Sequence, residues 1–186
     1  MKIHKITNGP LMQNCYVLEK NKQAIVIDPG IETNKFIEFL EKNKLQAKSV
    51  LLTHGHFDHI FSAKALKEKG AKIYISEVDA PKLLDNEINC GFLCDIYSEP
   101  CLPDGFLTEG KCEIEGEEFE IVNTPGHTSG SIIIVYKDNV FTGDTYFSKG
   151  IYGRTDLLDG NQEELVKSLK KVEKIVKNKK VFAGHE

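Results

Sequence analysis

Residues 53–59 read Thr-His-Gly-His-Phe-Asp-His, so three imidazoles and one carboxylate fall between His54 and His59. The whole chain of 186 residues holds six histidines, which makes three in one turn a signal rather than background. Imidazole and carboxylate are the donors that divalent metals take, and an ion that keeps an open coordination position needs three of them. His54 and His56, two residues apart in an extended turn, point the same way. Asp58 and His59 can turn toward a neighbouring position. A solvated histidine-rich turn would need no partners elsewhere, whereas a metal centre would.

Partners of the right type recur downstream. They are His127 in Thr124-Pro125-Gly126-His127-Thr128, Asp144 in Gly143-Asp144-Thr145, and His185 in Gly184-His185-Glu186. Each follows an apolar strand-like run and sits beside Gly or Pro, as residues delivered by a strand end do. Two ligand sets result: His54, His56 and His127 for one ion, and Asp58, His59 and His185 for another. Asp144 is suited to bridge them, because a carboxylate has two oxygens and offsets charge on both ions.

The elements that must position these groups follow from periodicity. Short strands at residues 2–6 and 14–18, joined by a turn through Asn8-Gly9-Pro10, precede the continuous apolar run Ala24-Ile25-Val26-Ile27. That run ends at Asp28-Pro29-Gly30, a strong turn. A helix starting at residue 32 or 33 places Phe36, Ile37, Phe39 and Leu40 on one side, and a strand over 49–52 delivers the first motif. A second helix is expected from Ile60 to the stop at Lys69-Gly70, then a strand over 71–75 and a short helix over 77–84. The stretch 85–111, with Cys90, Cys94 and Cys101 among Gly and Pro, reads as a loop or lid. One hairpin turns at 115–117 and delivers His127; a second turns at 137–138 and delivers Asp144. A helix over 162–176 and a strand over 180–183 lead to His185. Strands alternating with helices imply a sheet covered by helices.

Hydrophobic residues make up 40% of the chain and charged residues 28%, the balance of a soluble globular domain. No run approaches the roughly 18 apolar residues of a membrane span. The N-terminus lacks the pattern of a signal peptide, so a cytoplasmic protein is expected. Five cysteines with no CxxC pair read as free thiols there, and the spacing of Cys90, Cys94 and Cys101 is poor for a zinc cluster. Cys15 reads as a buried small hydrophobe and His4 as an ordinary surface residue. The net charge of -4 and the interleaving of the C-terminal lysines with apolar and acidic residues describe an amphipathic helix, not a polyanion-binding face. No nucleic acid or membrane partner is expected, and the oligomeric state is not legible.

The order H-x-H-x-D-H, P-G-H-T, G-D-T and G-H resembles the metallo-β-lactamase superfamily over nearly the whole chain. Within it, Asn14-Cys15-Tyr16 and Gly153-Arg154-Thr155-Asp156-Leu157 are similar to the glyoxalase II-like hydrolases, also called hydroxyacylglutathione hydrolase-like proteins. The resemblance implies an α/β fold, a single-domain four-layer αββα sandwich with the metals at the edge of two facing sheets. It also implies two divalent ions, zinc first, with iron or manganese as substitutes. Tyr146, Lys149 and Arg154 are candidate substrate contacts; packing for Tyr146 and an ion pair with Asp156 for Arg154 are equal alternatives. Larger glyoxalase II enzymes carry a C-terminal helical domain with glutathione contacts, and no such separate domain is expected here. His185, one residue before Glu186, is expected to be prone to fraying.

The expected reaction is hydrolysis of a small thioester such as an S-2-hydroxyacylglutathione by a metal-bridging hydroxide, with Asp58 as the catalytic group that orients it. A thiolate whose conjugate acid has a pKa of about 8.5 leaves without a proton donor. Two other classes compete. Persulfide dioxygenases are similar to this chain too, and bind one iron(II) through the equivalents of His54, His127 and Asp144, a facial triad suited to oxygen. A non-enzymatic metal or redox module would instead use the cysteine-containing segment. A nuclease would show a basic substrate face, and none is evident.

Overall fold

The computed structural model describes residues 1–9 and 11–186; Pro10, part of the first expected turn, lies outside them. The chain opens with β1 (Lys2–Asn8), β2 (Gln13–Lys20) and β3 (Gln23–Ile27), then α1 (Thr33–Asn43) and β4 (Gln46–Leu51). Two short helices follow, α2 (Phe57–Ile60) and α3 (Ala63–Glu68), then β5 (Lys72–Ile75) and β6 (Gly105–Phe106). The second half contributes β7 (Gly110–Ile114), β8 (Glu117–Asn123), β9 (Ile132–Tyr136), β10 (Asn139–Gly143), α4 (Gln162–Val176) and β11 (Lys180–Ala183). One sheet runs β1-β2-β3-β4-β5-β6 and the other β11-β10-β9-β8-β7.

The period-2 alternation of buried strands decides which layer each side chain joins. In β3, Ala24 and Val26 face a cluster with Phe36 and Leu40 of α1 and Leu66 of α3. Ile25 and Ile27 face the opposite way, against Phe119, Ile121, Ile134 and Phe141 of the second sheet. In β9, Ile132 and Ile134 join that central cluster, while Ile133 and Val135 turn outward to Val172 and Leu169 of α4. Helices thus cover both outer faces, and the two sheets share the inner one. This is the expected four-layer αββα sandwich.

Three segments and one side chain differ from expectation. The helix expected from Ile60 starts at Phe57 and is interrupted before Ala63, so Asp58 and His59 sit on helical backbone. The helix expected over 77–84 is a single 3-10 turn, Ala80–Leu83, with Pro81 in its first turn, where a missing N–H costs little. The stretch 85–111 is not all loop. It contains a 3-10 turn at Gly91–Cys94, and its end pairs β6 parallel to β5 and begins β7. His4 is half-buried rather than free on the surface, its Nε2 2.6 Å from Glu19 Oε2 and its ring edge-on to Phe39. Among the described residues, no helix is long and apolar enough to cross a membrane.

Candidate metal centre

All seven candidate donors come together at one edge of the two sheets. Donor atoms of His54, His56 and His127 lie within 4.8 Å of one another, as do those of Asp58, His59 and His185. A third grouping, His54, His59 and Asp144, links the two. Asp144 stands between the sets: Oδ1 is 3.2 Å from His59 Nε2, and Oδ2 is 3.5 Å from His185 Nε2 and 3.6 Å from His127 Nε2.

The hydrogen bonds behind the imidazoles fix which nitrogen faces the centre. His59 Nδ1 donates to Asp28 Oδ2 at 3.0 Å. His54 Nδ1 donates to Thr53 Oγ1 at 3.1 Å, and that hydroxyl donates to Asp28 Oδ2 at 2.6 Å. Both rings therefore turn Nε2 toward the centre, as a lone pair once it is free of a proton, and neither Nε2 has a hydrogen-bond partner although it is buried. Asp144 Oδ1 and His56 Nε2 are likewise buried and unpartnered. Buried polar atoms without partners are costly and uncommon, and lone pairs aimed at a shared point fit a cation. His127 Nδ1 donates to the Arg154 carbonyl at 2.8 Å, which turns its Nε2 toward His56 Nδ1, 2.9 Å away. A carboxylate or carbonyl that orients a histidine in this way raises its basicity as a ligand.

Asp28 was legible only as part of a turn, yet it is a positioning residue for two donors. It is 2% exposed and also accepts the Thr53 N–H at 2.8 Å. Its φ of 50° lies in the left-handed region, which Asp and Asn tolerate better than other side chains.

A second buried aspartate joins the two ligand turns. Asp79 Oδ2 accepts from Gly55 N and from Thr128 Oγ1, both at 2.8 Å, and Oδ1 accepts from Gly130 N at 3.0 Å. Lys82 Nζ lies 2.8 Å from Asp79 Oδ1 and 2.8 Å from Asp159 Oδ2, and Asp159 accepts from Ser129 N at 2.9 Å. The strut thus holds the His54–His56 turn to the His127 turn. Asp79→Ala would leave the buried Lys82 short of a partner and is expected to lower unfolding free energy by about 3 kcal/mol. Denaturant unfolding measures this, and a loss below about 1 kcal/mol would contradict a buried strut.

The strand end that carries His185 is fastened rather than frayed. Asn14 N donates to the Gly184 carbonyl at 2.7 Å, and Asn14 Nδ2 and Tyr16 Oη donate to the Ala183 carbonyl at 3.1 and 2.6 Å. Gly184 N donates in turn to Gly143 O at 2.8 Å, tying this end to the turn before Asp144. Gly184 itself has no room for a side chain, since a Cβ there would meet Asp144 Oδ1 and His59.

Charge sorts six ionisable groups of the centre. Burial, then the neighbouring histidines, hold His54 far below its ordinary value and push His56 down to about 3. Burial opposes charge on His59 and His185 too, but Asp144 and Asp58, with Asp28 beside His59, raise both. Against the same burial, His59 and its neighbours hold Asp58 and Asp144 below the usual carboxylate range. Without metal, protonated His59 and His185 supply the positive charge between these carboxylates.

The consequence for metal-free protein has two signs. His54 and His56 favour the neutral form when folded, so their contribution is full above pH 6.5 and is lost on acidification, for His56 down to about 3. His59 and His185 favour the charged form, so theirs is full below pH 6.5 and is lost as pH rises through their folded values. Stability in a chelator is therefore expected to peak near pH ~6.5. Denaturant midpoints from pH 4.5 to 8.5 test this, and a monotonic rise across the range would contradict it.

A cavity of about 470 Å³ opens onto the centre, with His56, Asp58, His127, Asp144 and His185 on its floor. Arg154, one candidate substrate contact, lines it, and its guanidinium is held by Asp156 at 2.6 and 2.7 Å. Tyr146 does not line it; it packs with Val122, Ile133 and Val172. Lys149 is exposed on a turn and is not part of the lining either. Their neighbours Phe147 and Tyr152 take those places, with Cys90, Leu93 and Cys94 from the irregular segment. The cysteines are free, Cys15 and Cys101 are buried in the core, and none joins a metal-competent group among the described residues.

The family model described as the Metallo-beta-lactamase superfamily matches residues 8–185. The chain belongs to that superfamily. A probable metallo-hydrolase of Bacillus subtilis is 34% identical over all of this chain and 90% of its own length. The hydroxyacylglutathione hydrolase GloC of Haemophilus influenzae is 36% identical over 91% of this chain and 83% of its own. Among solved structures, the BLEG-1 B3 metallo-beta-lactamase covers 100% of this chain and 92% of its own at 30% identity, with a TM-score of 0.89. A di-iron-bound form of the protein TTHA1623 covers 98% and 92% at 30% identity, with a TM-score of 0.88. The protein is thus a metallo-hydrolase of this superfamily, whose fold binds divalent ions.

Proposed function

We propose that this metallo-hydrolase cleaves a small thioester at a two-metal centre. One observation carries the reading. Two histidine-containing triads flank a shared carboxylate, with unpartnered buried lone pairs, at the floor of an open cavity. His54, His56 and His127 would hold one ion, Asp58, His59 and His185 the other, and Asp144 both. Zinc is the first choice, and the di-iron form of a relative keeps iron in view.

When bound, the ions supply Lewis acidity at the carbonyl and a water acidified to near-neutral pKa. The chain's own groups do the rest. Asp58, whose Oδ2 is 3.2 Å from His185 Nε2, accepts a hydrogen bond from the attacking water and aims it. Asp144 and Asp58 offset cationic charge, and Asp28 and the Arg154 carbonyl keep three imidazoles in ligand orientation. Phe57, Leu93 and Leu157 give the cavity above the donors an apolar lining. A thiolate with a conjugate-acid pKa of about 8.5 departs without a proton from the protein. The hydroxyacylglutathione hydrolase among the relatives supports a thioester over an amide.

A mononuclear iron persulfide dioxygenase would need three of the seven donors and would leave the converging Asp58, His59 and His185 without a task. Assays of the metal-loaded protein on S-lactoylglutathione and other thioesters, beside oxygen uptake with glutathione persulfide, separate the two. Turnover of a thioester without oxygen uptake is expected. Oxygen uptake with no thioester turnover would overturn the hydrolase.

A further inference from the structure

The walls of the cavity differ in character from its floor. Leu11, Leu93, Phe147, Tyr152 and Leu157 surround the donor groups. Of these, Leu11, Leu93 and Tyr152 are 48%, 56% and 42% exposed. Exposed large apolar side chains are ordinary when scattered, but gathered around one opening they mark a binding surface. Phe92 and Leu158, next in sequence to Leu93 and Leu157, line with Ile88 a second cleft of about 380 Å³.

Charge is sparse on these walls. Apart from the histidines, Arg154 is the one cationic side chain lining the cavity among the described residues, and Asp156 takes its guanidinium in two contacts. The second cleft offers Glu87 and no cation. Glutathione carries two carboxylates and an ammonium on the thiol side of a thioester. The cationic charge that two bound ions would bring lies at the floor, where the scissile carbonyl must sit. The walls would then meet the carboxylates of a glutathione carrier with leucine and aromatic side chains, which desolvate them without pairing.

We propose that the substrate is an uncharged thioester with an apolar acyl or thiol portion, and that Leu93, Phe147, Tyr152 and Leu157 determine this specificity. The proposal rests on the thioester-hydrolase reading of the same site. Hydrolysis joins the water oxygen to the carbonyl carbon and breaks the C–S bond, whose electron pair leaves on sulfur. The products are a carboxylate, a thiol and one proton released to solvent. A class of reaction that makes or accumulates apolar acyl thioesters would supply the substrate.

Two measurements on the metal-loaded protein test the proposal. The first is calorimetric binding of two non-hydrolysable thioethers, S-hexyl-N-acetylcysteamine and S-hexylglutathione. The uncharged ligand is expected to bind at least about 10-fold more tightly; equal or tighter binding of S-hexylglutathione overturns the proposal. The second compares kcat/KM for hexanoyl and acetyl thioesters of N-acetylcysteamine. Hexanoyl is expected to be favoured about 10-fold or more, as added methylenes in an apolar pocket allow. Leu93→Ser and Tyr152→Ser, both at exposed positions, are expected to shrink that ratio. A ratio near one in the unsubstituted protein, or one that neither variant moves, overturns it. Tight binding of the uncharged thioether with no turnover of any thioester would leave the apolar pocket standing and remove the hydrolase reading instead.

Discussion

Asp144→Ala is expected to lower thioester turnover by at least about 10³-fold and to leave the protein unable to hold two ions per chain. Asp144 reaches donors of both sets, with Oδ1 3.2 Å from His59 and Oδ2 3.5 to 3.6 Å from His185 and His127. Among the described residues, Asp144 is the one carboxylate grouped with a histidine of each triad, His54 and His59. Alanine removes the proposed bridge and also a carboxylate that offsets the charge of the ions or, when metal is absent, of protonated His59 and His185. Asp144→Asn keeps the shape and one oxygen, so it is expected to fall between the wild type and alanine. Steady-state kinetics with metal content on the same sample decides the matter. Two ions and unimpaired turnover in the alanine variant would deny Asp144 a bridging role.

Asp28→Ala is expected to weaken metal binding about 10- to 100-fold without removing any ligand. The loss comes through His59, which loses the acceptor for its Nδ1–H, and through His54, whose partner Thr53 loses its own acceptor. The Thr53 N–H is left buried and unpaired as well, which costs about 1–3 kcal/mol of stability. Asp28→Asn separates the two effects. Asparagine tolerates the left-handed φ and can still accept from Thr53 N, so stability is largely retained. Its amide N–H₂ then faces His59 and Thr53 Oγ1, so metal affinity still falls. Competition with a chelator reads the affinity. A dissociation constant unchanged in both variants would confine Asp28 to the turn.

These two residues show what could and could not be read in the chain. Asp144 was legible because it follows an apolar strand, sits beside Gly143, and shares that placement with His127 and His185. Strand ends at one edge of a sandwich converge, so the pattern of chemistry survives without coordinates. Asp28 stands at a strand end too, but Asp28-Pro29-Gly30 is a strong turn in its own right, and the turn explained the aspartate. The overlooked signal was that the turn abuts a strand buried on both faces, where a carboxylate needs partners. Asp79 gave less. It lies in Glu77-Val78-Asp79, which reads as the start of a short helix, and the donors it gathers, Gly55, Thr128 and Gly130, are distant in sequence.

Among the elements, the long periodic ones were clear and the short ones were not. Strand β6 has two residues and rests on its pairing with Tyr74 and Ile75, which no local pattern encodes. Helix α2 hides under the histidine motif, because Asp58 and His59 read as ligands before they read, with Phe57, as a helical turn. Tyr146 and Phe147 are adjacent, and only the tertiary packing sends the first into the core and the second to the cavity. Asn14 and Tyr16, noticed for a resemblance, proved to have a mechanical task, fastening the carbonyls that precede His185.

The most direct test of the account is the number of metal ions per chain in protein purified without added metal and freed of loosely bound ions. Elemental analysis against protein concentration measures it. Two tightly held divalent ions per chain, of whatever element, are predicted by two triads sharing Asp144. A reproducible single ion, with no second binding event on titration, would contradict the two-metal centre.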